Sequence, residues 1–147
     1  MFAAILIGLA APSAVLAQSD CYDAKVRATP VDQVPSEIED CVGDCIIISW
    51  PWFVDLQVKR VLEGRLPAKR IRVLTVQHTY RVSRAGTWLL RMNTAGGYNV
   101  VWQGEGASLA HCSADSAPAK PYIRPGDGKT IDDLREAGIR LYGHHGG

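Results

Sequence analysis

The strongest structural signal in the chain is the segment Trp52-Phe-Val-Asp-Leu-Gln-Val-Lys-Arg-Val-Leu62. From Val54 to Lys59, apolar residues alternate with polar ones, and this period of two is typical of a strand with one buried face. The apolar run Cys45–Trp50 precedes the segment, and Pro51 stands between the two. Because a proline within a strand lies at a bulge or an edge, we predict one long strand that bends at Pro51.

Three further strands are predicted downstream. After a turn at Gly64–Pro67, the segment Lys69–Gln77 places apolar residues on one face and arginines on the other. Thr87–Met92 and Tyr98–Gln103 alternate in the same way, and the glycine-containing turn Thr94–Gly97 joins them. This arrangement predicts an antiparallel hairpin.

The two ends of the chain have different patterns. Residues 18–44 are polar and rich in turn residues, so we expect an N-terminal arm with at most one short strand, near Lys25–Thr29. In the C-terminal extension 113–147, Thr130 is a good N-cap for one helix, which is expected to stop at Gly138 and to pack on the barrel. Residues 45–112 are left to form the β-barrel.

Four or five strands at a spacing of about ten residues favour a small all-β domain. We therefore predict a mainly β fold, an OB-like barrel of the five-stranded Greek-key type with a short C-terminal helix, stabilised by disulfides. A β-sandwich is the alternative.

Residues 1–17 have the pattern of a cleavable export signal. The apolar run Phe2–Ala11 is too short to cross a bilayer core of about 30 Å, and the small side chains of Val15 and Ala17, at the −3 and −1 positions, suit signal peptidase. No Lys or Arg precedes the run, which a misassigned start at Met1 would explain. We expect cleavage after Ala17 and a secreted or periplasmic product.

The chain contains four cysteines, an even number, which in an exported protein predicts two disulfides. Three pairings are possible. We favour Cys41–Cys45, which would close a tight turn, together with Cys21–Cys112, which would tie the N-terminal arm to the last strand region. A zinc site formed by these thiols with His111 has unsuitable ligand spacing, so no metal is predicted.

Charge is distributed unevenly along the chain. Residues 18–55 contain eight acidic residues and two basic ones, whereas residues 59–91 contain nine basic residues and one acidic one. OB-type barrels bind ligands by combining a positive groove with stacking aromatics. The predicted ligand-binding residues are Lys59, Lys69, Arg70, Arg72 and Arg81.

The expected partner of this basic stretch is an anionic glycan, a lipid headgroup or an acidic protein, because export makes nucleic acid an improbable partner in vivo. The alternative is purely structural: Trp88, Tyr98 and Trp102 fill the core, and the acidic arm neutralises the arginines.

Several segments resemble the netrin-module and tissue-inhibitor-of-metalloproteinases group of OB-fold domains. They are Val58-Lys-Arg-Val-Leu-Glu-Gly64, Gly86-Thr-Trp-Leu-Leu-Arg-Met92 and Gly97-Tyr-Asn-Val-Val101, followed by Cys112. The resemblance covers residues 45–112 and implies an OB barrel. Those inhibitors begin with a cysteine whose amine and carbonyl bind the protease zinc, whereas Gln18 is expected to come first here and can cyclise. Protease inhibition by that mechanism is therefore not expected.

No motif in the chain specifies a reaction. A Gly-x-Ser-x-Gly elbow is absent, and Gly126–Thr130 lacks the first glycine of a phosphate-binding loop, which would fall at Ile123. The adjacent His144-His145 are a poor chelating pair. We therefore predict a non-enzymatic binding or interaction module without a cofactor. The alternatives are a structural envelope-assembly factor, which would use the barrel edge or the helix, and a hydrolase without a recognised motif.

Overall fold

The computed structural model describes residues 21–38, 43, 46–81, 84–126 and 128–146. The predicted export signal and the predicted Cys41–Cys45 disulfide lie outside these residues. The described elements are β1 (Cys21–Tyr22), β2 (Ala24–Pro35), β3 (Trp50–Glu63), β4 (Arg70–Gln77), β5 (Gly86–Met92), β6 (Tyr98–Gln103), β7 (Ala110–His111) and α1 (Ile131–Tyr142).

Five strands close into a barrel in the order β2-β3-β4-β6-β5. Neighbouring strands are antiparallel except for β4 and β6, which are parallel. The fold is thus the predicted OB-like five-stranded barrel, with one short C-terminal helix. The predicted β5–β6 hairpin is also confirmed.

The segment before residue 45 contributes more to the barrel than the sequence indicated. Strand β2 has 12 residues and pairs with both β3 and β5, so the prediction of at most one short strand was wrong, and the barrel begins at Ala24. Pro30 does not end the strand, because the pairing register with β3 shifts between Pro30 and Asp32. A bulge of this kind accommodates a proline whose sequence signal is that of a turn.

Strand β3 includes Pro51 but starts at Trp50, not at Cys45. The preceding isoleucines are exposed, with 88% of Ile46 and 67% of Ile48 accessible. The reason is that β2 ends opposite Trp52 and β4 ends opposite Trp50, so the preceding isoleucines have none of the described strands beside them.

The barrel interior is filled by inward-facing side chains from all five strands. Trp88 is fully buried in it, and its indole N–H donates to the carbonyl oxygen of Ala28 at 3.1 Å. The buried members of this core are Ala24, Val26, Ala28, Trp52, Val54, Leu56, Val58, Ile71, Val73, Trp88 and Leu90.

Helix α1 packs on the outer face of the barrel. A capping box between Thr130 and Asp133 starts it, as predicted. It does not stop at Gly138, which is buried within the helix, and it ends at Tyr142 with Gly143 as the cap. A Cβ on Gly138 would lie 2.2 Å from the carbonyl oxygen of Pro35, so the glycine is needed for close approach to β2 and not for termination.

A disulfide joins Cys21 to Cys112, as predicted, with their Cα atoms 5.0 Å apart. The short strands β1 and β7 pair in parallel beside it. In the chain-entropy view, a cross-link over such a long loop stabilises the fold by about 4–5 kcal/mol. The described part of the chain contains no helix with the length and apolar character needed to cross a membrane.

Candidate functional site

The outer face of β3 and β4, together with the adjoining part of β2, is divided into two halves, and we call it the β3–β4 face. In the covered half, the buried side chains Val34, Phe53 and Leu74 form a second core cluster with Ile123 and the apolar face of α1. The helix stops short of the other half, where five exposed side chains are basic. This open half comprises Arg27 from β2, Lys59 and Arg60 from β3, Lys69 just before β4, and Arg70 at its start.

Two arginines of the open half face each other. Arg27 and Arg60 are directly opposed in the β2–β3 pairing, and both are exposed. Like charges in opposed positions of an antiparallel pair repel one another. Among the described residues, no carboxylate lies within ion-pairing distance of Arg27, Lys59, Arg60 or Lys69. The open half is therefore a positive surface on which these four charges lack a carboxylate partner in the described part of the chain, whereas Arg70 has one in Asp55.

Asp55 marks the boundary between the halves. Its side chain is only 11% exposed and accepts hydrogen bonds from Arg72 Nε at 2.9 Å and from Arg70 Nη2 at 3.5 Å. Arg72 also donates from Nη1 to Asp132 of α1 at 2.9 Å. The charge of Arg72 is thus neutralised by carboxylates on both the barrel and α1, and this residue links the helix to the barrel. Arg70 remains 63% exposed and can still contact a ligand.

Glu63, the acidic residue at the end of β3, is also engaged. Tyr22 donates its hydroxyl hydrogen bond to the Glu63 carboxylate, and Lys25 donates to it at 3.3 Å. The hydrogen bond from Tyr22, followed by the one from Lys25, lowers the pKa of Glu63, and the same contact raises the pKa of Tyr22. These contacts bind Glu63 to Tyr22 and Lys25 and leave the opposed arginines unpaired.

Arg81 lies away from the other predicted site residues. It follows the opposite end of β4, where its backbone N–H donates to Gln33 Oε1 at 2.8 Å. Burial lowers the pKa of its guanidinium. The structure therefore brings Lys59, Lys69 and Arg70 together, places Arg72 at the boundary and separates Arg81.

Sequence reasoning missed Arg27 and Arg60. Arg60 stands beside Lys59 in the sequence, but its position opposite Arg27 depends on the pairing of β2, which was predicted to be an arm. The alternation of charge in Lys25-Val-Arg27 was a usable strand signal.

The stacking aromatics that an OB-type ligand groove would supply do not accompany these cations. Trp52 and Trp88 are inside the barrel, and Tyr98 packs partly against the same core. Burial, with a smaller contribution from the charge of Asp23, raises the pKa of Tyr98. Trp102, expected in the core, is instead substantially exposed on β6. The chemistry that the open half offers is therefore electrostatic, without the stacking of an aromatic groove.

Comparison of the chain with protein families, with curated proteins and with solved structures finds no match.

Proposed function

We propose that the protein is an exported, non-enzymatic binding module that holds an extended anionic ligand on the open half of the β3–β4 face. The observation that carries the proposal is the opposed pair Arg27 and Arg60, which repel each other and lack a carboxylate partner among the described residues. A bound anion would remove that repulsion. Lys59, Lys69 and Arg70 extend the positive surface along the same strands.

The position of this surface in the barrel supports the proposal. OB-type barrels bind oligosaccharides and oligonucleotides across their second and third strands. Here β3 and β4 are the second and third strands of the barrel. Helix α1 covers one half of this face, so a ligand would lie on the remaining basic half.

The ligand that fits best is a glycan with repeating sulfate or carboxylate groups. Neighbouring strands are about 4.8 Å apart, so cations on adjacent strands can contact successive charges of an extended polymer. Because the contacts are electrostatic and exposed, added salt would weaken the binding steeply. Export, which is itself part of the proposal, favours a glycan over nucleic acid.

The test is elution of the oxidised mature chain from a heparin column in a salt gradient. The double variant Arg60→Glu with Lys69→Glu is expected to elute at much lower salt, because two positive charges of the open half are replaced by two negative ones. The matched control, Lys120→Glu with Arg124→Glu, changes the net charge equally at exposed positions elsewhere. Equal shifts for the two variants would show that net charge alone governs retention and would reject the proposed site.

Further probes separate the possible sources of the anion. Vesicles containing phosphatidylserine and a single-stranded oligonucleotide are compared with heparin at the same salt concentrations. Binding to heparin alone would support the glycan, whereas preferential binding to vesicles would move the proposal to a lipid headgroup. Melting temperatures of all variants are measured alongside and should stay close to that of the parent chain.

A role in envelope assembly is the second candidate. The barrel is closed, so its five strands have no free edge, and Leu134 and Arg135 of α1 both contact the barrel side. The feature that favours a protein partner is the exposed apolar segment Ile46–Ile48. Replacing Ile46 and Ile48 by serine would abolish such an interaction and leave heparin elution unchanged.

A further inference from the structure

A second feature lies at the end of the barrel where β3 begins and β4 ends. Aromatic rings follow one another there: Trp50 to Trp52 at 5.6 Å, Trp52 to His145 at 5.8 Å, and His145 stacked on Tyr80 at 5.6 Å between ring centres. Arg81 follows Tyr80 in the chain. We call these five residues the aromatic mouth. Trp50 also lines an adjoining groove of about 760 Å³, so the mouth borders on open space.

Beneath the aromatic mouth lies a buried polar network formed by Gln33, Thr75 and Gln77. Gln33 Oε1 accepts from Gln77 Nε2 at 3.1 Å and from the backbone N–H of Arg81 at 2.8 Å. Gln77 Oε1 accepts from the Thr75 hydroxyl at 2.7 Å and from Arg81 Nε at 3.3 Å. Both amide oxygens therefore already accept two hydrogen bonds, which fills their capacity.

Unlike these amide oxygens, several N–H donors of the aromatic mouth lack a hydrogen-bond partner among the described residues. The indole nitrogens of Trp50 and Trp52 are buried and have no hydrogen-bond acceptor among the described residues, and Trp52 as a whole is only 3% exposed. An unsatisfied buried donor costs about 1–3 kcal/mol. The guanidinium of Arg81 uses only Nε in the network, and no carboxylate of the described chain pairs with it. The mouth thus has an excess of donors and one unpaired positive charge.

The C-terminal tail covers this end of the barrel. The backbone N–H of His145 donates to the carbonyl oxygen of Gln33 at 2.9 Å, and its ring occupies the space between Tyr80 and Trp52. His144, which is exposed, contacts Asp32 through Nδ1 at 3.0 Å. Among the described residues, one backbone hydrogen bond, two ring contacts and one surface ion pair hold this tail, residues 144–146. Because these contacts are few and partly exposed, a ligand can displace the tail at a modest cost in free energy.

We propose that the aromatic mouth binds a carboxylate carried on a ring, with the ligand ring replacing that of His145 and the carboxylate accepting from Arg81 and the indole N–H groups. A planar guanidinium matches the two oxygens of a carboxylate, and aromatic side chains pack against the flat face of a sugar or an aromatic ring. This site lies at the opposite end of β3 from the open half, and the proposal does not depend on the glycan proposal.

The test uses the indole N–H signals of the nitrogen-15-labelled chain, which contains four tryptophans. Glucuronate and benzoate are titrated separately, with glucose and benzyl alcohol as neutral partners of the same ring types. The signals of Trp50 and Trp52, assigned with Trp50→Phe and Trp52→Phe, are expected to move downfield with a carboxylate only. Trp88, already bonded to Ala28, and the exposed Trp102 serve as internal controls.

The two carboxylates distinguish a sugar acid from an aromatic acid as the source of the ligand, and a response to either supports the site. Unmoved Trp50 and Trp52 signals with both acids, or an equal response to the neutral compounds, would overturn it.

Two substitutions test the roles of Arg81 and His145 in carboxylate binding. Arg81→Gln should weaken carboxylate binding at least tenfold, whereas Arg84→Gln, which removes an exposed cation three residues further on, should have no effect. Equal losses for the two would overturn the role of Arg81. His145→Ala should tighten binding severalfold, because the ligand no longer competes with the tail ring. Weaker binding by that variant would show that the tail forms part of the site and would contradict its displacement.

Discussion

The covered and open halves of the β3–β4 face are built on the same two strands, but they have opposite chemistry. Phe53 is 1% exposed beneath α1, whereas Gln57, four residues later on the same strand face, is partly open to solvent among cations. The strand geometry is the same at both positions. What differs is whether α1 lies over the position. The helix therefore determines which outward positions must be apolar and which can be charged.

The boundary between the halves is electrostatic. Arg72 pairs with Asp55 on the barrel and with Asp132 on the helix, so the cation with two carboxylate partners lies where the helix stops covering the strands. Beyond that point, Arg70 has the longer contact of 3.5 Å with Asp55. The remaining cations of the open half have no carboxylate partner among the described residues. Four substitutions test the difference between the halves. They lie beneath the helix, in its contact with β2, at the boundary ion pair and at the helix cap, in decreasing order of the expected effect.

The largest effect is expected from removing the apolar contact under the helix. Phe53→Ala should lower the free energy of unfolding by about 3–5 kcal/mol, because a fully buried aromatic ring leaves a cavity. Gln57→Ala, the matched change in the open half, should cost less than about 0.5 kcal/mol. Denaturant unfolding of both variants measures the difference, and similar losses would mean that the two halves are not distinct in packing.

The second largest loss of stability is expected where α1 packs closely against β2. Gly138→Ala would add a Cβ 2.2 Å from the carbonyl oxygen of Pro35, so we expect a loss of about 2 kcal/mol, although alanine in an exposed helix would stabilise. Gly126→Ala is the control, because its Cβ meets nothing within 4 Å. A stabilised Gly138→Ala variant would show that the helix is free to move away from the barrel.

A smaller effect is expected at the boundary. Asp55→Asn leaves Arg70 without an anionic partner on the barrel, and it should reduce stability by only about 1 kcal/mol, because these arginines are partly exposed. The same change adds net positive charge beside the open half. The variant should therefore elute from heparin at higher salt than the parent chain, and earlier elution would contradict the assignment of the ligand face.

The smallest effect is expected at the start of the helix and depends on pH. The backbone N–H and then the hydroxyl of Thr130 hydrogen-bond to the Asp133 carboxylate and lower its pKa below the ordinary value of 3.8. The capping contribution is therefore complete above that value and is lost as the pH falls through the lower folded pKa. Asp133→Asn should melt slightly below the parent chain at neutral pH, and this difference should disappear in strong acid.

The melting measurements in acid also show whether the charge of Asp133 contributes to the capping of α1. If the difference between Asp133→Asn and the parent chain were the same at neutral and at acid pH, the carboxylate of Asp133 would contribute nothing through its charge. Thr130→Ala, which removes the reciprocal hydrogen bond, should show a comparable loss at neutral pH.

Much of the barrel could be predicted from local pattern. Strands β4, β5 and β6 have clean alternation, and their bounds in the structure agree with the prediction to within a residue. Strand β2 could not be found in this way, because its prolines and polar residues have the composition of a loop and only the pairing with β3 and β5 makes it a strand. Conversely, Ile46–Ile48 have strand composition but pair with no strand in the part of the chain that the structure describes.

The candidate site was predicted in part for the same reason. Lys59, Lys69 and Arg70 follow from the alternation of single strands, but the opposition of Arg27 and Arg60 is a property of two strands far apart in sequence. Arg72 and Arg81 have suitable charge, yet their partners, Asp132 and Gln33, are distant in the chain. Sequence spacing indicates which face a side chain is on, while tertiary contacts decide whether its charge is available.

The disulfide between Cys21 and Cys112 makes a covalent ring that contains every strand of the barrel, from Ala24 to Gln103. A single protease cut in any loop within that ring would leave both fragments joined, and the strand pairing would keep them in register. Such a nicked protein would migrate as one band without reductant and as two with it. Helix α1 and the C-terminal tail lie outside the ring, so a cut after Cys112 could release the helix cover while the barrel stayed whole.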